Sequence, residues 1–345
     1  MKKMNSTVGI GIVGCGIIAD IHAAAIQEMT GGKLVSVFSR STEKANLLAA
    51  KYGARGHSDW ESFIKNPDLE LVIVCTPNGT HLDYGKKIAM AGKHMVMEKP
   101  IEVTVSRARE LINLCIAQNV SLAVIYQNRY LPDVQKMREI VLQGDLKKIL
   151  MASAYIKWFR TQEYYDADAW RGTLTLEGGG VLINQAIHTI DLLQWIAGEI
   201  KTVMGYIRTS THTNIEVEDN AVAALEFKNG AVGVLEASTS IIPAMARRIE
   251  IHGEGGTAIL DGDNLQVLKE GDSIISDKRS AATGASSPLA GFSTDPHRRQ
   301  LEAIVHALQS NVQPPVSGVE SLESLKIVRA IYRSAQEKRP IEIED

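Results

Sequence analysis

Hydrophobic residues in the first third of the chain alternate between short continuous runs and helical spacing. Residues 8–13 (VGIGIV) form an apolar run broken only by glycines. Residues 17–29 then carry apolar positions at helical period, with the helix formers Ala23, Ala24 and Ala25, and Thr30-Gly31-Gly32 stops that helix. The alternation continues with a run at 33–38, a helix at 41–52 capped by Ser41 or Thr42, and a run at 69–75 (LELVIVC). A turn at 76–79, a helix at 81–91, a run at 94–97, a helix at 106–118 and a run at 121–126 complete it. A run apolar at nearly every position leaves no face for water and predicts a strand buried on both sides. Such strands alternating with helices predict an α/β domain with a doubly wound parallel sheet of Rossmann type over residues 1–127.

After residue 149 the texture changes. Strand-like segments at 149–159, 202–209, 221–227, 231–238, 248–252 and 257–260 follow one another with few helices between, and Lys228-Asn229-Gly230 marks a hairpin. They predict an α+β domain over residues 128–345 with an open, mostly antiparallel sheet. An open sheet exposes a face, and the valines and alanines alternating in 221–225 and 231–235 predict that this face is buried in a homodimer or homotetramer. Residues 278–296, rich in Ser, Gly, Ala and Pro, read as a long loop before helices at 297–309 and 318–337.

Length and composition narrow the function. At 345 residues the chain is long enough for two domains, and 45% hydrophobic with 22% charged residues is ordinary globular composition. A net charge of -3 gives no basic footprint, so nucleic acid and anionic membrane are not expected partners. The N-terminus lacks a small-residue cleavage site, and no signal peptide is expected. Cys15, Cys75 and Cys115 are scattered and form no C-x-x-C, which argues against a disulfide framework or thiolate zinc and for a reducing cytoplasm.

Three places carry chemistry. Gly14-Cys15-Gly16-Ile17-Ile18-Ala19 is a G-x-G-x-x-A turn between a predicted strand and helix. Gly14 permits the tight turn, Gly16 a close approach to a pyrophosphate, Ala19 helix–strand packing, and the helix N-terminus faces the anion. The second strand ends Phe38-Ser39-Arg40 without the carboxylate that would take a ribose 2′-hydroxyl. Ser39 and Arg40 suit a 2′-phosphate instead, which favours NADP and leaves NAD open; Arg40 can equally stack on adenine or stay in solvent. Lys99, after the run at 94–97, stands at the carboxyl edge of the sheet, either to donate to a substrate oxygen or simply solvated. Asn184, His188 and Asp191 fall at i, i+4 and i+7 after Gly178-Gly179-Gly180, one helix face on which His188 can accept a hydroxyl proton. His188 and Asp191 lack a third clear ligand, and no metal is expected. Trp158, Trp170-Arg171 and Tyr164-Tyr165 line a sugar site or belong to the core.

In order, G-x-G-x-x-A (14–19), T-P-N-x-x-H (76–81), E-K-P (98–100), N-R-Y (128–130) and G-G-G-x-L-x-N-Q-x-x-H-x-x-D (178–191) resemble the Gfo/Idh/MocA oxidoreductases, relatives of glucose-fructose oxidoreductase and inositol dehydrogenase, along the whole chain. The resemblance implies a nicotinamide cofactor and hydride transfer at a secondary hydroxyl of a sugar, sugar nucleotide or cyclic polyol. It implies Lys99 as hydroxyl donor and His188 as acid/base, with Asn184 beside it. Thr76, Pro77, Asn78, His81, Glu98 and Gln127, together with Trp170 and Arg171, become cofactor lining, and a cis bond before Pro100 is expected. Asn128, Arg129, Tyr165, Trp170, Asn184 and Gln185 join Lys99 and His188 around the substrate. Inositol dehydrogenases of the family carry aspartate where this chain has Asn184, which makes myo-inositol a poorer fit. Residues 160–185 resemble the UDP-N-acetylglucosaminuronate 3-dehydrogenase branch. Two other functions stay open: an NAD-dependent glycosidase working by transient oxidation and elimination, and a non-catalytic NAD(P)-sensing regulator, against which the intact Lys99 and His188 argue.

Overall fold

The computed structural model describes residues 6–270 and 293–344. The chain divides into two compact units, Met1–Gln127 with Ser293–Leu322 and Asn128–Phe292 with Glu323–Asp345.

The first unit is built on six parallel strands: β1 (Val8–Val13), β2 (Gly32–Phe38), β3 (Arg55–His57), β4 (Leu71–Val74), β5 (His94–Met97) and β6 (Leu122–Val124), in the order β3-β2-β1-β4-β5-β6. Every residue of β1 and β4 is buried, as their unbroken apolar runs require. The strand order reverses between β1 and β4, and the crevice at the carboxyl ends of such a pair is where open α/β sheets bind ligands. The apolar pattern missed β3, a three-residue Arg-Gly-His edge strand with exposed Arg55, too short and polar to show a period. Helix Asp295–Gln309 starts two residues earlier than its spacing predicts, with Pro296 in its first turn. It lays Leu301, Ile304, Val305 and Leu308 into the same core as β1 and helix Ile17–Glu28. Gln300 fastens it further, accepting from the Tyr126 amide at 3.0 Å and donating to the Val124 carbonyl at 2.8 Å. Residues 278–292, most of the expected long loop, lie outside the described residues.

The second unit carries an eight-stranded sheet of β7 (Ile149–Lys157), β8 (Ile200–Arg208), β9 (Asn220–Phe227), β10 (Val232–Ser238), β11 (Arg248–Gly253), β12 (Gly256–Asp261), β13 (Asn264–Leu268) and β14 (Ile341–Glu342). Its order is β13-β12-β11-β7-β10-β9-β8-β14, antiparallel throughout except for the β7–β10 pair. In β9, Ala221, Ala223, Leu225 and Phe227 are buried while Val222, Ala224 and Glu226 are exposed. The alternating apolar residues therefore supply both faces, one inside the unit and one open. Helix Pro132–Leu142, which the sequence pattern did not single out, contacts helix Ile187–Ala197. Among the described residues no helix is long and apolar enough to cross a membrane.

Candidate active site

Gly14 has φ +106°, and a Cβ there would lie 2.4 Å from the Cys75 carbonyl oxygen, so only glycine allows β1 to turn beside β4. The Gly14 amide donates to the Phe38 carbonyl at 2.9 Å, and the Cys75 amide to the Val13 carbonyl at 2.8 Å. Gly16 is the N-cap of helix Ile17–Glu28, and no side chain caps that end. A Cβ built on Gly16 meets nothing within 4 Å. The helix amides and this open ground beside Gly16 fit a pyrophosphate. Ile17 is 55% exposed, Cys15 and Ile18 are partly buried, and burial pushes the Cys15 thiol up. At the end of β2, Ser39 is partly buried and Arg40 exposed.

Two further loops meet at the same carboxyl edge. His81 is fully buried, with Nε2 3.0 Å from the Thr76 carbonyl and Nδ1 3.0 Å from the Pro100 carbonyl. Burial lowers its pKa, while the Glu102 charge and the two carbonyls act in the opposite direction. His81 therefore joins the loop carrying Thr76, Pro77 and buried Asn78 to the loop carrying Glu98, Lys99 and the cis Lys99–Pro100 bond. Lys99 is partly exposed. Its amide donates to Glu98 Oε2 at 3.1 Å, and Glu98 Oε1 lies 2.7 Å from His22 Nε2. His297 completes a buried group whose ligand atoms lie within 4.8 Å of one another. Burial pushes the Glu98 carboxyl up, but His22, His297 and Lys99 outweigh it and bring the pKa down to about 2. Burial, with His22 alongside, pushes His297 down to about 3. The sequence reading sought metal ligands only around His188 and missed this His-Glu-His group, whose members lie far apart in the chain. Gln127 is buried, and its Oε1 meets no hydrogen-bond partner among the described residues, which suits a ligand that donates.

In the second unit the three-glycine run is forced by close packing. A Cβ on Gly179 would lie 2.2 Å from the Tyr332 hydroxyl, and one on Gly180 would lie 1.8 Å from the Glu218 carbonyl oxygen. Glu218 receives the amides of Gly180 and Leu182, both at 2.9 Å, at the start of the following helix, where a carboxylate is favoured. That helix opens with a π turn at Leu182–Ala186 before helix Ile187–Ala197. The three residues expected on one face differ in burial. Within 181–193 only Asn184 and His188 are not buried, while Asp191 is fully buried. Asp191 accepts from Arg129 Nε and Nη2, both at 2.7 Å, and from the Ser324 hydroxyl at 2.8 Å. Arg129, expected at the substrate, is only 5% exposed and is held by this bidentate pair and by the Trp195 ring 5.0 Å away. Asn128 next to it is partly exposed.

The tyrosine pair divides. Tyr165 turns inward, its hydroxyl 3.0 Å from Thr239 Oγ1 and its ring 4.6 Å from His212. Tyr164 instead receives Arg171 Nη1 at 2.5 Å and the side-chain amides of Asn184 and Gln185, both at 3.4 Å. Burial pushes its phenol up against the pull of the Arg171 and Arg160 charges. Arg171 also lies over Trp170, 4.6 Å from its ring centroid. Gln185 Oε1 is buried without a hydrogen-bond partner among the described residues. Buried Glu177 accepts from Asn184 Nδ2 and from the Gly172 amide. The sequence pairs Tyr164 with Tyr165, as wall of a sugar site or as core, and gives Glu177 no role. The legible signal was the position of Glu177, directly before Gly178-Gly179-Gly180.

The chain matches known proteins over most of its length. The model of an oxidoreductase family's NAD-binding Rossmann fold matches residues 8–126, and that of its C-terminal alpha/beta domain matches residues 138–343. The chain superposes on the WlbA dehydrogenase from Bordetella pertussis in complex with NADH and UDP-GlcNAcA with a TM-score of 0.87, at 29% identity, covering 98% of this chain and 99% of that one. It is 26% identical to the D-glucoside 3-dehydrogenase of Escherichia coli (strain K12), covering 98% of both. It is 24% identical to the inositol 2-dehydrogenase of Rhizobium meliloti (strain 1021), covering 98% of this chain and 99% of that one.

Proposed function

The chain belongs to the Gfo/Idh/MocA oxidoreductase family, and from that premise we propose that it transfers hydride between a nicotinamide dinucleotide and a secondary hydroxyl of a sugar, sugar nucleotide or cyclic polyol. The observation that carries this reading is the pinned edge of the first sheet. There the Gly14–Gly16 turn leaves room for a pyrophosphate, and the loop bearing Lys99 is fixed by Glu98, His22 and His81.

When bound, the dinucleotide supplies the hydride acceptor or donor. The chain's own residues do the rest. The helix amides after Gly16 hold the pyrophosphate, and the buried Gln127 carbonyl accepts a hydrogen bond from the ligand. Lys99 donates to the carbinol oxygen, and His188 accepts its proton when the hydroxyl is oxidised. Asn184 and Gln185 orient the hydroxyls. For the cofactor, NADP is favoured because β2 is followed by Ser39-Arg40 without a carboxylate; the NADH in the WlbA dehydrogenase makes NAD the alternative to assay.

Lys99→Met and His188→Asn each lower turnover by roughly two to four orders of magnitude. Dinucleotide affinity, read by fluorescence titration, stays near wild type. Unchanged turnover in either variant removes that residue from the chemistry. A homodimer or homotetramer forms through the open face of the second sheet, where Val222, Val232 and Tyr206 are 48%, 50% and 54% exposed. A monomer by light scattering contradicts that contact.

A further inference from the structure

The helix that carries Asn184 and His188 begins without a local cap. Val181 stands at the cap position and has no side-chain oxygen to offer the first amides. One distant residue takes that part. Glu218 accepts the Gly180 amide at Oε2 and the Leu182 amide at Oε1, each at 2.9 Å. Its main-chain carbonyl accepts the amide between them, from Val181, at 3.0 Å. Three consecutive amides thus end on a single residue 36 to 38 positions further along the chain.

The grip reaches Asn184 through one residue. The Gly180 carbonyl accepts the Asn184 amide at 3.0 Å, so the residue held by Glu218 Oε2 itself holds the backbone of Asn184. Asn184 lies in the π turn Leu182–Ala186, and His188 follows in helix Ile187–Ala197. Such π turns are rare and recur at functional sites. Glu218 is in turn fixed from outside this helix. It is 4% exposed and stands two residues before β9, and its Oε1 also accepts the Tyr332 hydroxyl at 2.9 Å, from helix Gly318–Glu337. A serine or aspartate at position 181 would satisfy an amide without burying an acid. A local cap of that kind does not tie the helix start to the sheet and to a second helix.

We propose that Glu218 is a positioning residue of the active site: its carboxylate fixes the start of this helix, and with it the placement of Asn184 and His188 against the hydroxyl being oxidised. This rests on the dehydrogenase reading above. Both oxygens of the side chain have to accept. A glutamine has the same size but turns a donor toward one of the two amides, which leaves that amide unpaired. Glu218 touches neither substrate nor cofactor in this scheme.

The test compares Glu218→Gln with Glu218→Asp in the full chain, using the substrate and dinucleotide that the wild type turns over. In Glu218→Gln, kcat falls on the order of 10- to 100-fold, the scale expected of a misplaced reacting group. Dinucleotide affinity by fluorescence titration stays at the wild-type value, and hydrogen–deuterium exchange over residues 178–193 becomes faster. Aspartate is shorter but keeps two accepting oxygens, so kcat in Glu218→Asp exceeds that in Glu218→Gln several-fold. A residue that only filled space would give the reverse order, because glutamine matches glutamate in volume and aspartate leaves a gap.

Wild-type kcat in a folded Glu218→Gln overturns the proposal and leaves the dehydrogenase reading intact. A kcat in Glu218→Gln equal to or above that of Glu218→Asp does likewise. If Glu218→Gln does not fold, Glu218→Asp decides. Faster exchange over 178–193 with lower kcat then supports the proposal, and faster exchange with wild-type kcat overturns it. A wild type that oxidises no carbohydrate or polyol overturns the dehydrogenase reading and the proposal together.

Discussion

Around Gly14 the candidate site is made of backbone, whereas around Asn184 it is made of side chains. In the first unit a turn with positive φ, an uncapped helix N-terminus and main-chain hydrogen bonds to the carbonyls of Phe38, Val13 and Val74 set the shape, and each lies at a strand end. In the second unit Asn184, Tyr164, Arg171 and Glu177 hold one another, and the helix beneath them is anchored by Asp191 to Arg129, 62 residues away in sequence. A backbone site tolerates changes in side chains but not in its glycines. A side-chain site fails when one partner of a buried pair is removed. The contrast also suits the proposed division of labour, since helix amides suit a phosphate and side chains suit a pattern of sugar hydroxyls.

The largest effect should come from the buried ion pair of the second unit. Arg129→Met leaves Asp191 charged and buried, which costs about 3–5 kcal/mol. Urea denaturation should show the unfolding free energy fall by that much, while Arg129→Met with Asp191→Leu recovers part of it. A loss under 1 kcal/mol in the single variant would mean that side-chain pairing does not hold this site together.

Gly14→Ala comes next. The added methyl meets the Cys75 carbonyl and the residue keeps a left-handed φ, together costing about 2 kcal/mol or more. Dinucleotide affinity by fluorescence titration should drop at least tenfold, with the second unit's residues untouched. Tight binding in this variant contradicts a backbone-built cofactor site.

Over the mild acid range from pH 7.5 to 5, the smallest effect is a pH dependence from the His22–Glu98–His297 group. His297 is held down at about 3 and Glu98 at about 2, below their ordinary values of 6.5 and 4.5. Each binds fewer protons folded than unfolded within its window, so stability falls with falling pH. The His297 contribution is complete above about pH 6.5 and is lost toward pH 3; that of Glu98 is lost between about 4.5 and 2. Each group gives a slope of roughly 1.4 kcal/mol per pH unit. Denaturation curves at pH 7.5, 6 and 5 should show the loss below 6.5 in wild type and a shallower one in His297→Gln. Equal slopes would assign the acid sensitivity elsewhere.

The same contrast explains what could be read from the sequence. The parallel sheet was legible because β1, β4 and β5 are apolar runs between helices, and the open sheet because β9 and β10 alternate around an Asn-Gly hairpin. Short polar strands such as Arg55–His57 and Ile341–Glu342 left no pattern to find. The glycine turn was legible because its whole geometry is local. The roles of Tyr164 against Tyr165, of Arg129, and of His22 with His297 were not, because each is decided by a partner brought in by the fold. Asn184, His188 and Asp191 have helical spacing, yet Asp191 is fully buried on Arg129 while the other two are only partly buried.

The central claim is that this chain oxidises a carbohydrate or polyol hydroxyl with a nicotinamide dinucleotide. The most direct test follows nicotinamide absorbance with NAD and with NADP, each against a panel of inositols, free sugars, glycosides and UDP-sugars. Reduction of a dinucleotide by one compound, with NADP preferred, is the predicted result. A protein that binds the dinucleotide but reduces none of it with any member of the panel would contradict the claim.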